Sequence, residues 1–174
     1  MTAWHEEALG RQHDRAAFDC GNADLNQYLR RFARQNQERG GARTFVLVPD
    51  DRPGSVIGYY SLTVGQINPD DAAPGATPNL GGYPLPVFGL ARLAVALGHQ
   101  RRGVGKTLLA LAGHRSLQVA TQIGGVGLVV DAIDSSAADW YRHLAAYTLL
   151  DNPRHLMFSM EQLAEARRTA SGRS

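Results

Sequence analysis

The stretch Leu90–Ala110, LARLAVALGHQRRGVGKTLLA, is the part of the chain that decides the fold. Its first residues, Leu90–Leu97, form a short apolar run that predicts a buried strand. A polar turn containing glycines follows over residues 98–105, and from Val104 apolar residues recur at helical spacing. A strand, a glycine-rich turn and a helix together direct several backbone N–H groups and the helix dipole at one point. The stretch therefore predicts an anion-binding turn that suits a phosphate.

Glycines and basic residues within the turn support this prediction. Gly103 and Gly105 lack a Cβ, so the main chain can approach an anion closely. Positive charge comes from neighbouring side chains, which are Arg101, Arg102 and Lys106.

Three phosphate-binding patterns can be compared with the turn. The P-loop pattern G-x-x-x-x-G-K-[ST] matches at its end, Gly105–Thr107, but Gln100 stands where its first glycine should be. A nucleotide-binding P-loop, with Asp131 as its magnesium ligand, remains an alternative, although such a loop normally follows the first strand of a sheet. The dinucleotide pattern G-x-G-x-x-G fails because Leu108 replaces its third glycine. The pattern Q/R-x-x-G-x-G/A matches at every fixed position of Gln100–Gly105.

The third pattern, between a strand and a helix, resembles the acetyl-CoA pyrophosphate loop of the GNAT N-acetyltransferases. A later segment adds to the resemblance. The β-branched apolar run Val126–Asp131 predicts a buried strand, Ser135 or Ser136 can cap the next helix, and that helix is expected over Ala137–Ala146.

The family usually has A-x-x-[FW]-Y-x-x-x-G-F in this helix, and the pair Trp140-Tyr141 matches it. The glycine that normally ends the helix is replaced by Ala145-Ala146. This departure does not affect Tyr141.

A narrower resemblance covers nearly the whole chain, through blocks that recur in a fixed order. These are Phe18–Gly21, Asp24–Leu29, Thr44–Val48, Ile57–Leu62 and Ala91–Val95. They resemble the GNAT toxins of type II toxin–antitoxin modules. The resemblance implies a toxin that acetylates the α-amino group of aminoacyl-tRNA, a ribbon-helix-helix antitoxin that neutralises it, and a homodimer. Two residues depart from this branch: Ala96, where aspartate is more frequent, and Arg101, where glycine is common.

The resemblance also implies a fold and a set of site residues. The fold is an α/β protein of the α+β type, with a mixed, mostly antiparallel central sheet that is split at a V-shaped acetyl-CoA site and flanked by helices. Tyr141 is the expected general acid for the departing CoA thiolate. The expected acetyl-CoA contacts are Leu93, Ala94, Val95, Gln100, Arg101, Arg102, Gly103, Val104, Gly105, Lys106, Ser135 and Ser136.

Composition agrees with a compact enzyme. The chain has 174 residues, of which 44% are hydrophobic, enough for one domain over residues 1–170 with a frayed tail at 171–174. No apolar run approaches a membrane span, and the first residues lack the basic start and apolar segment of a signal peptide, so we expect a cytoplasmic protein. No Cys/His cluster has metal-ligand spacing. Cys20 is either a reactive nucleophile or, as we favour, a small buried residue.

The net charge is only +2, but the charges are unevenly distributed. No acidic residue lies between Asp71 and Asp131, a region that includes the anion-binding turn. A second basic stretch, over residues 30–43, is opposed only by Glu38 and is either a solvated helix face or an RNA-binding surface. The residues assigned to the tRNA substrate are Arg30, Arg31, Arg34 and Arg92.

The remaining pattern predicts a series of strands and helices. We expect a first strand over Trp4–Leu9, one or two amphipathic helices between Gly21 and Arg39, and an antiparallel hairpin formed by Ala42–Val48 and Ser55–Gln66 around a Pro-Gly turn. A proline-rich loop follows at Asn68–Pro86, and a strand is expected after it over Val87–Val95. A strand pair, Tyr147–Leu150 and His155–Met160, and a helix over Glu161–Arg168 complete the chain.

Amine chemistry favours one type of acceptor. No carboxylate is recognisable as a general base, and an α-amino group, with a pKa of about 7.7–8.0, needs little help to lose its proton. A lysine side chain, with a pKa of about 10.4, would need such a base. The rival functions are an acetyltransferase of a small-molecule amine or a protein N-terminus, and a partner-bound repressor component that has lost its activity.

Overall fold

The protein is described here by a computed structural model over residues 3–72 and 75–171. The strands in this part of the chain are β1 (Trp4–Ala8), β2 (Arg43–Pro49), β3 (Gly58–Ile67), β4 (Leu85–Val95), β5 (Gly127–Asp131), β6 (Tyr147–Thr148) and β7 (His155–Ser159). The α-helices are α1 (Ala23–Gln27), α2 (Ala33–Glu38), α3 (Val104–Ile123), α4 (Ser135–His143) and α5 (Met160–Ser171). A π-helical segment, Tyr28–Phe32, joins α1 to α2, and short 3₁₀ helices lie at Pro69–Asp71 and Leu97–His99.

The strands form one mixed sheet of seven strands in the order β1-β2-β3-β4-β5-β7-β6. The pairs β1–β2, β2–β3, β5–β7 and β6–β7 are antiparallel, and β4 pairs with β5 in parallel. The predicted mixed, mostly antiparallel sheet is therefore confirmed.

The β2–β3 hairpin forms where the sequence predicts it. In its register Thr44 lies opposite Ser61, and the two buried hydroxyl groups share a hydrogen bond of 2.6 Å. A buried hydroxyl that lacks a partner would be destabilising, so each of these two residues makes the other acceptable in the interior.

The chain divides into two compact units, each of which is described by itself. The first comprises the described residues up to 63 together with residues 91–109. Its interior holds an aromatic cluster in which the Tyr59 ring lies 5.5 Å from Phe18, edge on, and 6.4 Å from Tyr28, stacked. The Tyr59 hydroxyl donates to the carbonyl of Leu25 at 2.6 Å, which fixes α1 on this core.

The second unit comprises residues 64–90 and the described residues from 110 onward. Its core includes the fully buried side chains of Leu128, Leu156 and Met157, which lie on the paired strands β5 and β7. Gly113 of α3 lets α5 approach closely, because a Cβ at that position would lie 2.9 Å from a methyl carbon of Leu163.

Several predicted boundaries need correction. The strand predicted over Leu90–Leu97 ends at Val95, and Leu97 begins a 3₁₀ turn instead. The helix predicted over Ala137–Ala146 is α4 at Ser135–His143, and its cap is Asp134, whose carboxylate accepts from the Ala137 N–H at 2.7 Å. Neither Ser135 nor Ser136 is the cap.

The other elements differ from expectation by a few residues. The proline-rich loop contains a 3₁₀ turn, ends where β4 begins at Leu85, and includes residues 73–74, which lie outside the described residues. Of the predicted tail, Ser171 is the last residue of α5, and residues 172–174 lie outside the described part of the chain. Within the described ranges, no helix is both long enough and apolar enough to cross a membrane.

Candidate functional site

The predicted anion-binding turn, which we call the donor turn (residues 96–106), connects β4 to α3. Two backbone hydrogen bonds hold its start, from the Ala96 N–H to the Ile57 carbonyl at 2.8 Å and from the Leu97 N–H to the Asp19 carbonyl at 2.9 Å. Because both bonds reach elements of the first unit, the turn has a fixed position on that unit.

Gln100 anchors the donor turn from within. Its side-chain amide donates to the carbonyls of Cys20 and Val95, at 2.9 Å each. The two amide hydrogens are thus used inside the protein. Among the predicted acetyl-CoA contacts, Gln100 therefore shapes the turn, and its side-chain amide is not left free to donate to a ligand.

The backbone of the donor turn contains left-handed residues and an open position. Arg101 has a φ of 60° and Gly103 a φ of 81°, both in the left-handed region. Successive N–H groups in such a conformation point into a common concavity. A Cβ built at Gly103 has no atom within 4 Å, so the space in front of this residue is open.

The first turn of α3 adds donors to this concavity. The Thr107 N–H bonds back to the Gly103 carbonyl at 3.1 Å, whereas the N–H groups that precede it in a helix have no intrahelical acceptor. Arg101, Arg102 and Lys106 are exposed around this helix start. An anion placed there would meet backbone donors, the positive end of the helix dipole and mobile positive charge.

The strand before the donor turn, β4, is longer than its ladder with β5. The β4–β5 ladder ends at the pair Leu90–Val130, and β4 continues to Val95. Gly58 lies against this continuation, since a Cβ there would come within 2.9 Å of the Ala94 carbonyl oxygen. Backbone groups of the predicted contacts Leu93, Ala94 and Val95 therefore lie beyond the end of the ladder with β5.

Tyr141 lies on α4 in the second unit. Its side chain is only 6% exposed, and its ring packs edge on against Trp140, with the centroids 4.9 Å apart. No described residue makes a hydrogen bond to its hydroxyl group. Burial raises the pKa of this phenol above its ordinary value, so the phenol keeps its proton at neutral pH. Such a group can donate a hydrogen bond or a proton to a ligand. Ser135 and Ser136, on the first turn of the same helix, are exposed.

α4 ends in a motif that normally requires glycine. The Ala146 N–H donates to the Tyr141 carbonyl at 3.1 Å, and the Ala145 N–H donates to the Arg142 carbonyl at 2.9 Å, which together form a Schellman motif. Ala145 occupies the left-handed position with a φ of 73°. The conformation of the family's glycine is thus kept here by an alanine, at a strain of about 1 kcal/mol.

The basic residues near the chain's first helices do not form a uniform strip. We call residues 23–38, which run from α1 to α2, the acceptor segment. Arg30 donates to the Phe18 carbonyl at 2.5 Å, and Arg34 lies 3.4 Å from Glu38. Arg31 is exposed, and its guanidinium has no hydrogen-bond or ion-pair partner among the described residues.

A groove runs beside the acceptor segment. Its volume is about 530 Å³, and it is lined by His13, Asp14, Arg15, Ala16, Arg30 and Arg31. Arg15 donates to the Arg30 carbonyl at 3.1 Å, which ties the two walls together. Three arginines against one aspartate give this groove a positive charge.

Arg92 of β4 is held in place although it is exposed. Its guanidinium lies 4.7 Å from the centroid of the Tyr28 ring and donates to the Ala91 carbonyl at 2.7 Å. Tyr28 in turn stacks on Tyr59 and accepts a hydrogen bond from the Asn36 amide at 3.1 Å. This support was not foreseen from the sequence, since the residues involved lie far apart in the chain.

The block Phe18–Gly21 acts through its backbone and one carboxylate. The Asp19 carboxylate accepts from the Gly21 N–H and from the Asn26 amide, at 2.9 Å each, and these hydrogen bonds lower the pKa of Asp19. Burial raises the pKa of the Cys20 thiol, which makes it a poor nucleophile and agrees with a packing role. The block therefore holds Gln100 in place, because the Cys20 carbonyl accepts a hydrogen bond from the Gln100 side-chain amide.

Comparison with known proteins extends these observations. The sequence profile of the acetyltransferase (GNAT) family matches residues 4–146 of the chain. A tRNA-acetylating toxin of Mycobacterium tuberculosis is 37% identical over 148 residues, which cover 85% of this chain and 87% of that toxin.

Two solved structures are similar in fold. AtaT complexed with acetyl-methionyl-tRNAfMet is 26% identical, has a TM-score of 0.83, and the match covers 94% of this chain and 99% of AtaT. A mutant AtaT toxin bound to the C-terminus of the antitoxin AtaR and to acetyl-CoA is 26% identical, with a TM-score of 0.76 and coverage of 92% and 96%. The similarity therefore extends over nearly the whole length of each protein.

Proposed function

Because the chain belongs to the acetyltransferase (GNAT) family, we propose that it transfers the acetyl group of acetyl-CoA to the α-amino group of an aminoacyl-tRNA and so blocks translation. The observation that carries this proposal is the 37% identity to a tRNA-acetylating toxin over 85% of the chain. Membership of this family also replaces the P-loop alternative, for which Gln100 lacks the required glycine.

The donor turn is the proposed binding site for the pyrophosphate of acetyl-CoA. The open space at Gly103, the free N–H groups at the start of α3 and the charges of Arg101, Arg102 and Lys106 all fit a diphosphate. Val104 and Gly105 contribute through their backbone at the helix start. Ser135 and Ser136 remain proposed contacts, supported by their exposure on α4.

Acetyl-CoA supplies an activated acyl group, and the residues of this chain determine how it reacts. Backbone N–H groups of Leu93–Val95 are the proposed donors to the pantetheine chain and to the oxyanion that develops on the carbonyl oxygen. Tyr141 is the proposed general acid. It holds the proton that a thiolate leaving group needs, because its pKa is raised and its hydroxyl has no partner among the described residues.

The acceptor must be an amine that is neutral without strong assistance. An α-amino group has a pKa of about 7.7–8.0, and the neighbouring ester of an aminoacyl-tRNA lowers it further. A sizeable neutral fraction therefore exists at pH 7. This supports an aminoacyl amine over a lysine side chain as the acceptor.

The proposed RNA contacts are the basic groups that the fold leaves available. Arg31 and Arg92 are exposed, and Arg92 is already oriented by Tyr28. Arg30 and Arg34 were also assigned to the RNA, but they have protein partners, and we rank them below Arg31 and Arg92. Phosphate contacts of this kind give affinity that falls with salt concentration.

The proposed partners follow from the resemblance to type II toxins. They are a ribbon-helix-helix antitoxin that prevents growth arrest and a second copy of the chain in a homodimer. The structure of a mutant AtaT toxin bound to the C-terminus of the antitoxin AtaR supports an antitoxin as partner. If both hold, expression of the chain alone should arrest growth, and coexpression of a small protein encoded beside it should relieve the arrest.

The direct test uses labelled acetyl-CoA with a bulk mixture of charged tRNA. We expect label in the tRNA-sized fraction, and we expect mild base to release it, because the acetylated amino acid is joined to RNA by an ester. Uncharged tRNA is the matched control and should stay unlabelled. Label found in a small amine or a protein N-terminus would instead support the rival acetyltransferase, and no transfer by the folded protein would support the inactive repressor component.

A further inference from the structure

The helical register of the acceptor segment changes at its centre. Leu25, Tyr28 and Leu29 are buried, and a continuous α-helix would bring Phe32 to the same face. Instead, the Ala33 N–H donates to the Tyr28 carbonyl, five residues earlier, as in a π-helix. Ala33 is consequently fully buried, and Phe32 is 47% exposed.

This register forgoes the burial of a phenyl ring, which is a large apolar group. A π-helical turn is rare and is frequently found at functional sites. Here it exposes Phe32 directly after Arg30 and Arg31, the residues that line the basic groove. The register therefore exposes an aromatic ring on the segment that also carries the exposed, basic Arg30 and Arg31.

An exposed aromatic ring and a basic groove on the same short segment are the combination found at single-strand nucleic-acid sites. Bases stack on the ring while the backbone phosphates lie along the positive groove. The acceptor end of a tRNA, to which the amino acid is attached, is single-stranded. Three arginines against Asp14 favour a polyanion over an apolar peptide. The exposed Phe32 ring, on which a base can stack, favours a nucleic acid over an acidic peptide.

We propose that Phe32 stacks on an unpaired base of the tRNA acceptor end while Arg31 and the adjoining groove bind the neighbouring phosphate. This inference rests on the proposed function and adds to it the surface that holds the RNA strand. The π-helical register is the structural device that makes the ring available.

The test measures binding of an uncharged tRNA whose 3′-terminal adenine is replaced by the fluorescent base 2-aminopurine. Stacking on an aromatic ring quenches this base. The variants are Phe32→Leu, which keeps an apolar side chain but removes the ring, and Phe32→Trp, which restores an aromatic ring. Trp4→Leu is the matched control, since Trp4 is 46% exposed in the same unit and has no proposed role.

We expect Phe32→Leu to lose the quenching and to bind the tRNA about 5- to 150-fold more weakly, the range for one base–aromatic stack. Phe32→Trp should restore both, Trp4→Leu should behave as the wild type, and acetyl-CoA affinity should be unchanged throughout. The proposal is overturned if Phe32→Leu quenches and binds like the wild type, or if a folded Phe32→Trp variant fails to restore binding.

Two other results would also overturn it. If Phe32→Leu changes the mass of the particle in solution while tRNA binding is retained, Phe32 lies at an interface between copies of the chain. If it removes antitoxin binding and leaves tRNA binding intact, the surface binds a protein. A wild-type protein that transfers no acetyl group to charged tRNA refutes the proposed function itself, whereas transfer without Phe32-dependent quenching refutes only the stacking.

Discussion

The donor turn and the acceptor segment both carry positive charge, but they present it differently. In the donor turn the groups that would meet a ligand are mostly backbone N–H groups, and Gly103 keeps the space in front of them open. In the acceptor segment they are the side chains of Arg31 and Phe32, and the exposure of Phe32 depends on a π-helical register. Substitutions in the two regions should therefore change different constants, the affinity for acetyl-CoA in one and the affinity for RNA in the other.

The largest effect is expected from Tyr141→Phe, which tests whether catalysis can be separated from both binding surfaces. The substitution removes one hydroxyl group and keeps the ring. If Tyr141 protonates the thiolate, kcat should fall by about 10²–10⁴-fold, while the affinities for acetyl-CoA and tRNA stay unchanged. Single-turnover kinetics and calorimetry measure these quantities.

The stability of this variant and its toxicity provide the controls. The melting temperature should change little, because the hydroxyl has no hydrogen-bond partner among the described residues. Growth arrest should also disappear, since it depends on acetyl transfer. Wild-type turnover by Tyr141→Phe would show that another group, such as a hydroxyl of Ser135 or Ser136 or a water molecule, supplies the proton.

Gly105→Val tests the donor turn. Gly105 lies in the first turn of α3 and lacks the positive φ of Gly103, so the substitution adds bulk where a ligand would lie without forcing the backbone. We expect acetyl-CoA to bind about 5- to 150-fold more weakly, as for overpacking of a fitted site, and RNA affinity to be unchanged. Calorimetry measures the affinity for acetyl-CoA, and a filter-binding titration measures the affinity for RNA.

Gly65→Val is the matched control, since Gly65 is an exposed residue in the second half of β3 and should tolerate a β-branched side chain. Equal acetyl-CoA affinity of wild type and Gly105→Val would remove the donor turn from the cofactor site. We expect neither protein to bind Mg²⁺–ATP tightly. Tight Mg²⁺–ATP binding by the wild type would revive the P-loop alternative.

A double substitution, Arg31→Ala with Arg92→Ala, tests the acceptor side. Affinity for tRNA should fall several-fold, and the slope of log affinity against log salt should decrease in magnitude by about 1 to 2, as for loss of two phosphate contacts. Acetyl-CoA affinity should not change. The control pair is Arg52→Ala with Arg167→Ala, which removes the same charge from exposed residues that have no proposed contact with RNA.

If the control pair weakens tRNA binding as much as the test pair does, the effect is due to net charge and the positions of Arg31 and Arg92 are irrelevant. Arg30→Ala is expected to act differently again. It removes the hydrogen bond to the Phe18 carbonyl, so it should lower the melting temperature as well as RNA affinity.

The smallest expected effect is on stability, and it tests whether the left-handed residue that ends α4 affects only stability or also catalysis. Ala145→Gly should stabilise the protein by about 1 kcal/mol, because glycine adopts the left-handed conformation of the Schellman motif without strain. Thermal or denaturant unfolding measures this gain, and kcat should be unchanged. A loss of stability would mean that the alanine methyl makes packing contacts that outweigh the strain.

These regions also show what the sequence could and could not predict. The β2–β3 hairpin and the start of α3 follow from apolar periodicity and turn residues, whereas the mixed sheet was implied by the family resemblance, and all three are confirmed. The GNAT fold is likewise confirmed by the family profile and by the similar structures. The helix cap at Asp134 was missed because Ser135 and Ser136 are equally good capping residues, and only the backbone conformation distinguishes them.

The parts that could not be predicted depend on contacts between distant residues. Gln100 was expected to contact the ligand through a family motif, but its amide is held by carbonyls of Cys20 and Val95, one of which is far away in sequence. The exposure of Phe32 depends on a one-residue change of helical register that apolar spacing does not reveal. The contacts assigned to acetyl-CoA and RNA stay predictions until the variants above are measured.

The central claim concerns the atom that receives the acetyl group. After reaction of the protein with acetyl-CoA and charged tRNA, ribonuclease digestion releases the 3′-terminal adenosine with its amino acid, and mass spectrometry identifies the product. The account predicts adenosine that carries an amino acid acetylated on its α-nitrogen, formed by the wild type and lost with Tyr141→Phe. Aminoacyl-adenosine that remains unmodified in the presence of folded, acetyl-CoA-binding protein would contradict it.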